Sequence, residues 1–157
     1  MTVAALLVAA AVAQPVPFFR ALLRQSDPFA SVQRLADRLR DAHSTSGDDW
    51  RRYDGDGYFV ELGAYAARRP QKIVIVARHA TRAEAAAYAE ELFAAFPNAP
   101  QPRPPLAIDG PFSYRGAIVI ERRPVGVELD LTKAENEWRV TATLIAGGPR
   151  LVVPVSR

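Results

Sequence analysis

Residues 125–144 read VGVELDLTKAENEWRVTATL. Val125, Val127, Leu129 and Leu131 alternate with Gly126, Glu128 and Asp130. After the polar stretch 132–137, Trp138, Val140, Ala142 and Leu144 alternate with Arg139, Thr141 and Thr143. A period of two sends successive side chains to opposite faces of a strand. Two such runs joined by a short polar turn predict an antiparallel hairpin with one covered face and one wet face. The cover for the apolar face must come from elsewhere in the chain, and helices are the natural source.

Working outward, residues 117–122 predict a strand before this hairpin, and 151–155 predict one after the turn Gly147-Gly148-Pro149. Upstream, the strand-like runs 50–53 and 58–65 flank Asp54-Gly55-Asp56-Gly57, whose aspartate-glycine pairs tolerate positive φ and predict a hairpin turn. Arg68-Arg69-Pro70-Gln71 makes a second turn, followed by an apolar strand over 72–78. Strands that succeed one another through short turns imply an antiparallel meander.

Helical periodicity accounts for most of the rest. Residues 17–24 carry apolar side chains spaced for one face. Asp27-Pro28 is a helix start, with a capping carboxylate and proline in the first helical position. Val32, Leu35, Ala36 and Leu39 form the stripe of that helix, and His43 falls four residues later, extending the stripe to a helix end; STSGDD at 44–49 then closes the helical region. Thr81-Arg82-Ala83-Glu84 is a capping box that opens a helix with the stripe Ala85, Tyr88, Ala89, Leu92 and Phe96. Residues 97–111, PNAPQPRPPLAIDGP, read as a stiff connector of polyproline II character. The expected fold is a two-layer α+β domain over residues 14–157, with N-terminal helices and one mid-chain helix packed on a largely antiparallel β-sheet. No internal repeat is visible.

The chain has 157 residues, 49% of them hydrophobic and 24% charged, which suits one globular domain. The net charge of +3 does not come from a basic stripe: arginines such as Arg51-Arg52, Arg68-Arg69 and Arg122-Arg123 are scattered near acids and element ends, so no nucleic-acid partner is expected. With no cysteine, disulfides, cysteine nucleophiles and thiolate metal sites are excluded. Residues 1–13 carry no charged side chain, are apolar from Val3 to Ala13, and end in Ala11-Val12-Ala13 before Gln14-Pro15. That is the pattern of a secretory signal peptide, and it predicts a periplasmic or secreted product, the alternative being a buried N-terminal helix; the apolar run is shorter than the roughly 20 residues a transmembrane span needs.

Several constellations invite a chemical reading. Ile73-Val74-Ile75-Val76-Ala77-Arg78-His79 resembles the Arg-His-Gly motif of the histidine phosphatases, where an apolar strand ends at a phosphate-clamping arginine and a nucleophilic histidine. The resemblance implies a clamp at Arg78 and a nucleophile at His79. Ala80 stands where that family has glycine, and no histidine follows His79 to serve as the second one. The alternative places His79 in the loop between a strand and a capped helix. Glu128 and Asp130 project from one strand face, as an acid/base pair for sugar hydrolysis would, or as ordinary exposed acids. Asp54-Gly55-Asp56-Gly57 lacks the flanking acids of a calcium loop, no G-x-S-x-G or H-E-x-x-H occurs, and neither a metal nor another cofactor is expected. Tyr58-Phe59-Val60-Glu61-Leu62-Gly63-Ala64-Tyr65 looks like the first strand of a SPOR domain, the small peptidoglycan-binding module, and 81–92 like one of its helix starts, although the strand over 72–78 intervenes.

These observations predict an exported domain without catalytic residues, acting on an unidentified protein or envelope ligand. The expected contact surface is the hairpin bearing Trp50, Arg51, Arg52, Tyr53 and Tyr58, because Trp, Tyr and Arg dominate binding hot spots. It requires two of the three aromatic rings to be solvent-accessible. The alternatives are a small hydrolase or phosphatase-like enzyme using Arg78, His79 or carboxylates, and a SPOR-like peptidoglycan-binding module.

Overall fold

The computed structural model describes residues 15–39, 43–46, 49–55, 57–96 and 110–148. The segment 1–13 expected to be a signal peptide, most of the proline-rich connector and the strand expected over 151–155 lie outside these residues. Among the described residues there are three helices, α1 (Pro15–Leu23), α2 (Pro28–Ala36) and α3 (Arg82–Ala95). The strands are β1 (His43–Ser46), β2 (Trp50–Gly55), β3 (Tyr58–Gly63), β4 (Lys72–His79), β5 (Phe112–Ile120), β6 (Arg123–Ala134) and β7 (Glu137–Ala146). They form one antiparallel sheet in the order β1-β2-β3-β4-β7-β6-β5.

This topology has two similar halves. Helices α1 and α2 precede the meander β1–β4, helix α3 precedes the meander β5–β7, and the last strand of each half meets the other at the sheet centre. The β4–β7 register aligns Ile73 with Leu144, Ile75 with Ala142 and Ala77 with Val140. Cross-strand partners share a face, so these side chains, with Leu129 and Leu131 of β6 and Val60 and Leu62 of β3, make one continuous apolar surface. Helix α1 packs on α2 and α3, and α3 lies over β4, β6 and β7. Phe19 of α1 meets Phe96 edge-on at a centroid distance of 5.4 Å. The fold is the two-layer α+β arrangement that the alternation and the helical stripes predict.

Local signals explain the helix starts. The Asp27 side chain accepts from the Ala30 backbone N–H, and Pro28 opens α2. At α3 the Thr81 hydroxyl accepts from the Glu84 N–H at 3.2 Å, while the Glu84 carboxylate accepts from the Thr81 N–H at 3.3 Å. Such a box satisfies two donors that the helix itself leaves free, and its loss costs about 1 kcal/mol.

Four expectations need correction. Helix α2 ends at Ala36 and His43 begins β1, which runs on to Ser46; the stripe reaches Leu39, which is buried, but no helix extends to His43. Residues 43–46 are a strand because β2 supplies backbone partners from Arg51 to Asp54, a non-local cause without a periodic trace in four residues. Strand β3 stops at Gly63, since Ala64 takes φ of 53° and Ala67 and Arg68 take 49° and 63° in the turn before β4. Strands β5, β6 and β7 run longer than the apolar alternation shows: the polar residues Thr132 and Lys133 remain paired with Arg139 and Trp138. Nor is the face away from the helices uniformly wet, because Val76 and Thr143 on it are 7% and 4% exposed.

Candidate functional site

Strand geometry separates the two residues of the Arg-His stretch. Arg78 pairs with Arg139 and His79 with Trp138, and adjacent residues of a strand point to opposite faces. The His79 imidazole lies on the helix side, 4.9 Å from the Tyr88 ring of α3. Its Nε2 is buried with no hydrogen-bond partner. Burial lowers its pKa below the ordinary 6.5, against a smaller upward pull from Glu84. His79 is thus the half-buried last residue of β4 rather than a loop residue, and Arg78 is exposed on the other face. The two do not converge on a phosphate-sized volume.

The paired acids are also accounted for. Glu128 and Asp130 share a face, as the alternation predicts, and both are engaged by Arg115 of β5: Nε lies 3.3 Å from Glu128 and Nη1 lies 3.0 Å from Asp130. The Ser113 hydroxyl donates to Asp130 at 2.6 Å. This is a cross-strand ion-pair cluster, with both carboxylates directed at a guanidinium.

The hairpin divides by face. The β2–β3 register places Arg51, Tyr53 and Gly55 opposite Leu62, Val60 and Tyr58, on the helix side. Tyr53 is 4% exposed and Tyr58 1%, whereas Trp50 is 40% exposed. The requirement for two accessible aromatic rings is not met: Tyr53 and Tyr58 are core, because the strand period turns them under the helices. Burial raises the Tyr58 pKa to about 12. Gly55 makes room for it, since a Cβ there would fall 2.6 Å from the Tyr58 ring. On the opposite face Arg52 stacks over the Phe59 ring at 3.7 Å and donates to Asp54 at 2.8 Å. Trp50 pairs with Gly63 and is exposed at the start of β2; Arg51 is exposed too, but on the helix side.

A cleft that the sequence did not signal lies between α2 and the β3–β4 turn. It encloses about 310 Å³ and is lined by Phe29, Ala30, Gln33, Arg51, Tyr65, Arg68, Arg69 and Pro70. Arg51 donates from Nη1 to Gln33 Oε1 at 3.1 Å and sits 5.9 Å from the Tyr65 ring centre. Gln33 Nε2 donates to the Tyr53 hydroxyl and, at 3.1 Å, to Asp37. Arg69 is ion-paired with Asp27, which also receives Arg123 at 3.0 Å. The Tyr65 hydroxyl is buried without a hydrogen-bond partner. Residues from positions 29 to 70 meet here only through the sheet, so no local pattern announces the cleft. Among the described residues no cluster of three metal-ligating side chains occurs, and no helix is long and apolar enough to cross a membrane.

No protein-family model matches the chain, and no curated protein matches it. A crystal structure from Bacteroides thetaiotaomicron VPI-5482, at 1.50 Å resolution, is similar with a TM-score of 0.38 and 10% sequence identity. The match covers 66% of this chain and 37% of that one.

Proposed function

We propose that this is an exported domain that works by binding a protein or another envelope component, with Trp50 at the start of β2 as its contact in place of the whole aromatic hairpin. The observation that carries the reading is the exposure of Trp50, 40% in a chain whose neighbouring Tyr53 and Tyr58 are withdrawn into the core. An exposed indole at the end of a strand offers a large rigid area with a polar handle, the side-chain type that dominates binding hot spots. The enzyme alternative loses support because Arg78 and His79 lie on opposite faces of β4 and Arg115 engages Glu128 and Asp130. Export is supported by the apolar run Val3 to Ala13 and the Ala11-Val12-Ala13 site.

One experiment tests both parts. Tagged protein with its native N-terminus is recovered from fractionated cells, its mass is measured, and co-purifying molecules are compared between wild type and Trp50→Ala. The expected product lacks residues 1–13, lies in the envelope or medium, and loses its partner about tenfold on Trp50→Ala. An intact N-terminus on cytosolic protein overturns export. A partner set unchanged by Trp50→Ala overturns the contact surface.

A further inference from the structure

We propose that the cleft between α2 and the β3–β4 turn is an oxyanion site, taking the carboxylate or phosphate group of a small ligand. Three independent observations meet there. First, it is rich in guanidinium: Arg51, Arg68 and Arg69 all line it. Arg69 is held by Asp27, but among the described residues Arg51 and Arg68 have no carboxylate partner. A cleft with two unneutralised arginines favours an anion, and guanidinium geometry suits a two-oxygen acceptor.

Second, the Tyr65 hydroxyl has no partner although it is buried. A buried donor left unpaired costs more than the hydrogen bond it would make, so native proteins normally satisfy it. Tyr65 lines the cleft, so a small turn of its ring that uncovers the hydroxyl would let a ligand oxygen satisfy it. Third, the backbone that carries the turn is strained. Ala64, Ala67 and Arg68 have φ of 53°, 49° and 63°, a left-handed region that costs a non-glycine residue about 1 kcal/mol or more. The bonds between Ala66 and Arg69, 2.9 and 3.0 Å in the two directions, close this turn and hold Arg68 at the mouth. Glycine would relieve the strain but would not put a guanidinium there.

Size and opposing charge define the ligand further. About 310 Å³ is the lower end of small-molecule pockets, enough for one compact acid or the anionic end of a larger molecule. Two acids outside the lining bond residues within it. Asp27 is occupied by Arg69 and Arg123, and Asp37 accepts from Gln33. They moderate the positive field without occupying Arg51 or Arg68. Gln33, held between Arg51, Tyr53 and Asp37, fixes the Arg51 head, so one wall is organised before any ligand arrives.

This inference rests on the reading of the domain as a binding module and adds a ligand chemistry to it. Its test uses the full chain and needs no partner. Arginine Nε–Hε resonances are followed by NMR while inorganic phosphate and, separately, acetate are added at constant ionic strength. The expected result is saturable shifts at Arg51 and Arg68, with Arg20, Arg24 and Arg78 unmoved, and tighter binding of one anion naming the group. Arg68→Gln, at an exposed position without a partner, should weaken that binding about tenfold, and Tyr65→Phe about threefold. Equal, non-saturable shifts at all arginines, or binding unchanged in Arg68→Gln, would overturn the site. Either outcome leaves the Trp50 contact surface standing, since its readout is retention of a partner.

Discussion

His79 ends β4 with its ring against Tyr88 and its Nε2 buried and unpaired. The groups facing it are Tyr88 and Glu84 of α3 and, across the ladder, Trp138 of β7. Burial dominates and lowers its pKa below 6.5, so between that value and the folded-state pKa the unfolded chain binds the extra proton. Stability therefore falls as pH drops below about 6.5 and the loss is complete below the folded pKa. His79→Phe keeps an aromatic ring beside Tyr88 and removes both the titration and the orphan nitrogen. Urea unfolding at a series of pH values between about 7 and 5 should give a flatter profile for the variant. His43 is present in both proteins, so the difference isolates His79. Parallel profiles would show that His79 protonates as freely in the fold as out of it.

At the scale of elements, what was legible in the sequence is what local chemistry decides. The capping box at Thr81 and Glu84, the Asp27-Pro28 start and the buried stripe Ala85, Tyr88, Ala89, Leu92 all stand where four-residue patterns put them. The alternation of 125–144 identified β6 and β7 because Val125 to Leu131 and Trp138 to Leu144 keep one face of each strand apolar. Strand β1 was not legible, because its four polar residues are extended only by pairing with β2. The faces of the β2–β3 hairpin were half legible: period two correctly separates Trp50 and Arg52 from Arg51 and Tyr53, but not which side the helices cover. The cleft was not legible at all, because Gln33, Arg51, Tyr65 and Arg68 come from three elements and are joined by tertiary packing. The hairpin also yields a packing prediction. Gly55 faces the Tyr58 ring, and a Cβ would sit 2.6 Å and 2.8 Å from two of its atoms. Tyr58 is 1% exposed, so the ring has nowhere to retreat without moving core neighbours. Gly55→Ala should destabilise the fold by about 2 kcal/mol, and thermal melts against wild type read it directly. An unchanged melting temperature would mean that the Tyr58 pocket gives way freely.

For the whole molecule, the two helix-and-meander halves are joined at the centre by the β4–β7 ladder and at one end by Asp27. Its carboxylate caps α2 through the Ala30 N–H, pairs with Arg69 in the turn before β4, and pairs with Arg123 at the start of β6. One side chain thus ties the N-terminal helices to both halves of the sheet. Burial pushes its pKa up, but the Ala30 bond and the two guanidinium groups outweigh that and hold it below 3.8. A depressed carboxylate pKa gives stability that is present above the unfolded value of about 3.9 and is lost as pH falls through the folded one. Asn is as good an N-cap as Asp, so Asp27→Asn removes the ion pairs while keeping the cap. Because Arg123 is largely exposed and Arg69 partly so, the loss at neutral pH should be about 1 kcal/mol and should shrink at high salt. Asp27→Ala, which also removes the cap, should cost about 2 kcal/mol. Denaturant unfolding of wild type and both variants at pH 7 and near pH 3 separates the contributions. The Asn variant should converge on wild type at the acid end, while the Ala variant should stay less stable than Asn at both. If Asn matches wild type at pH 7 in low salt, the two arginines contribute nothing and the halves are held by the β4–β7 ladder and the shared core alone.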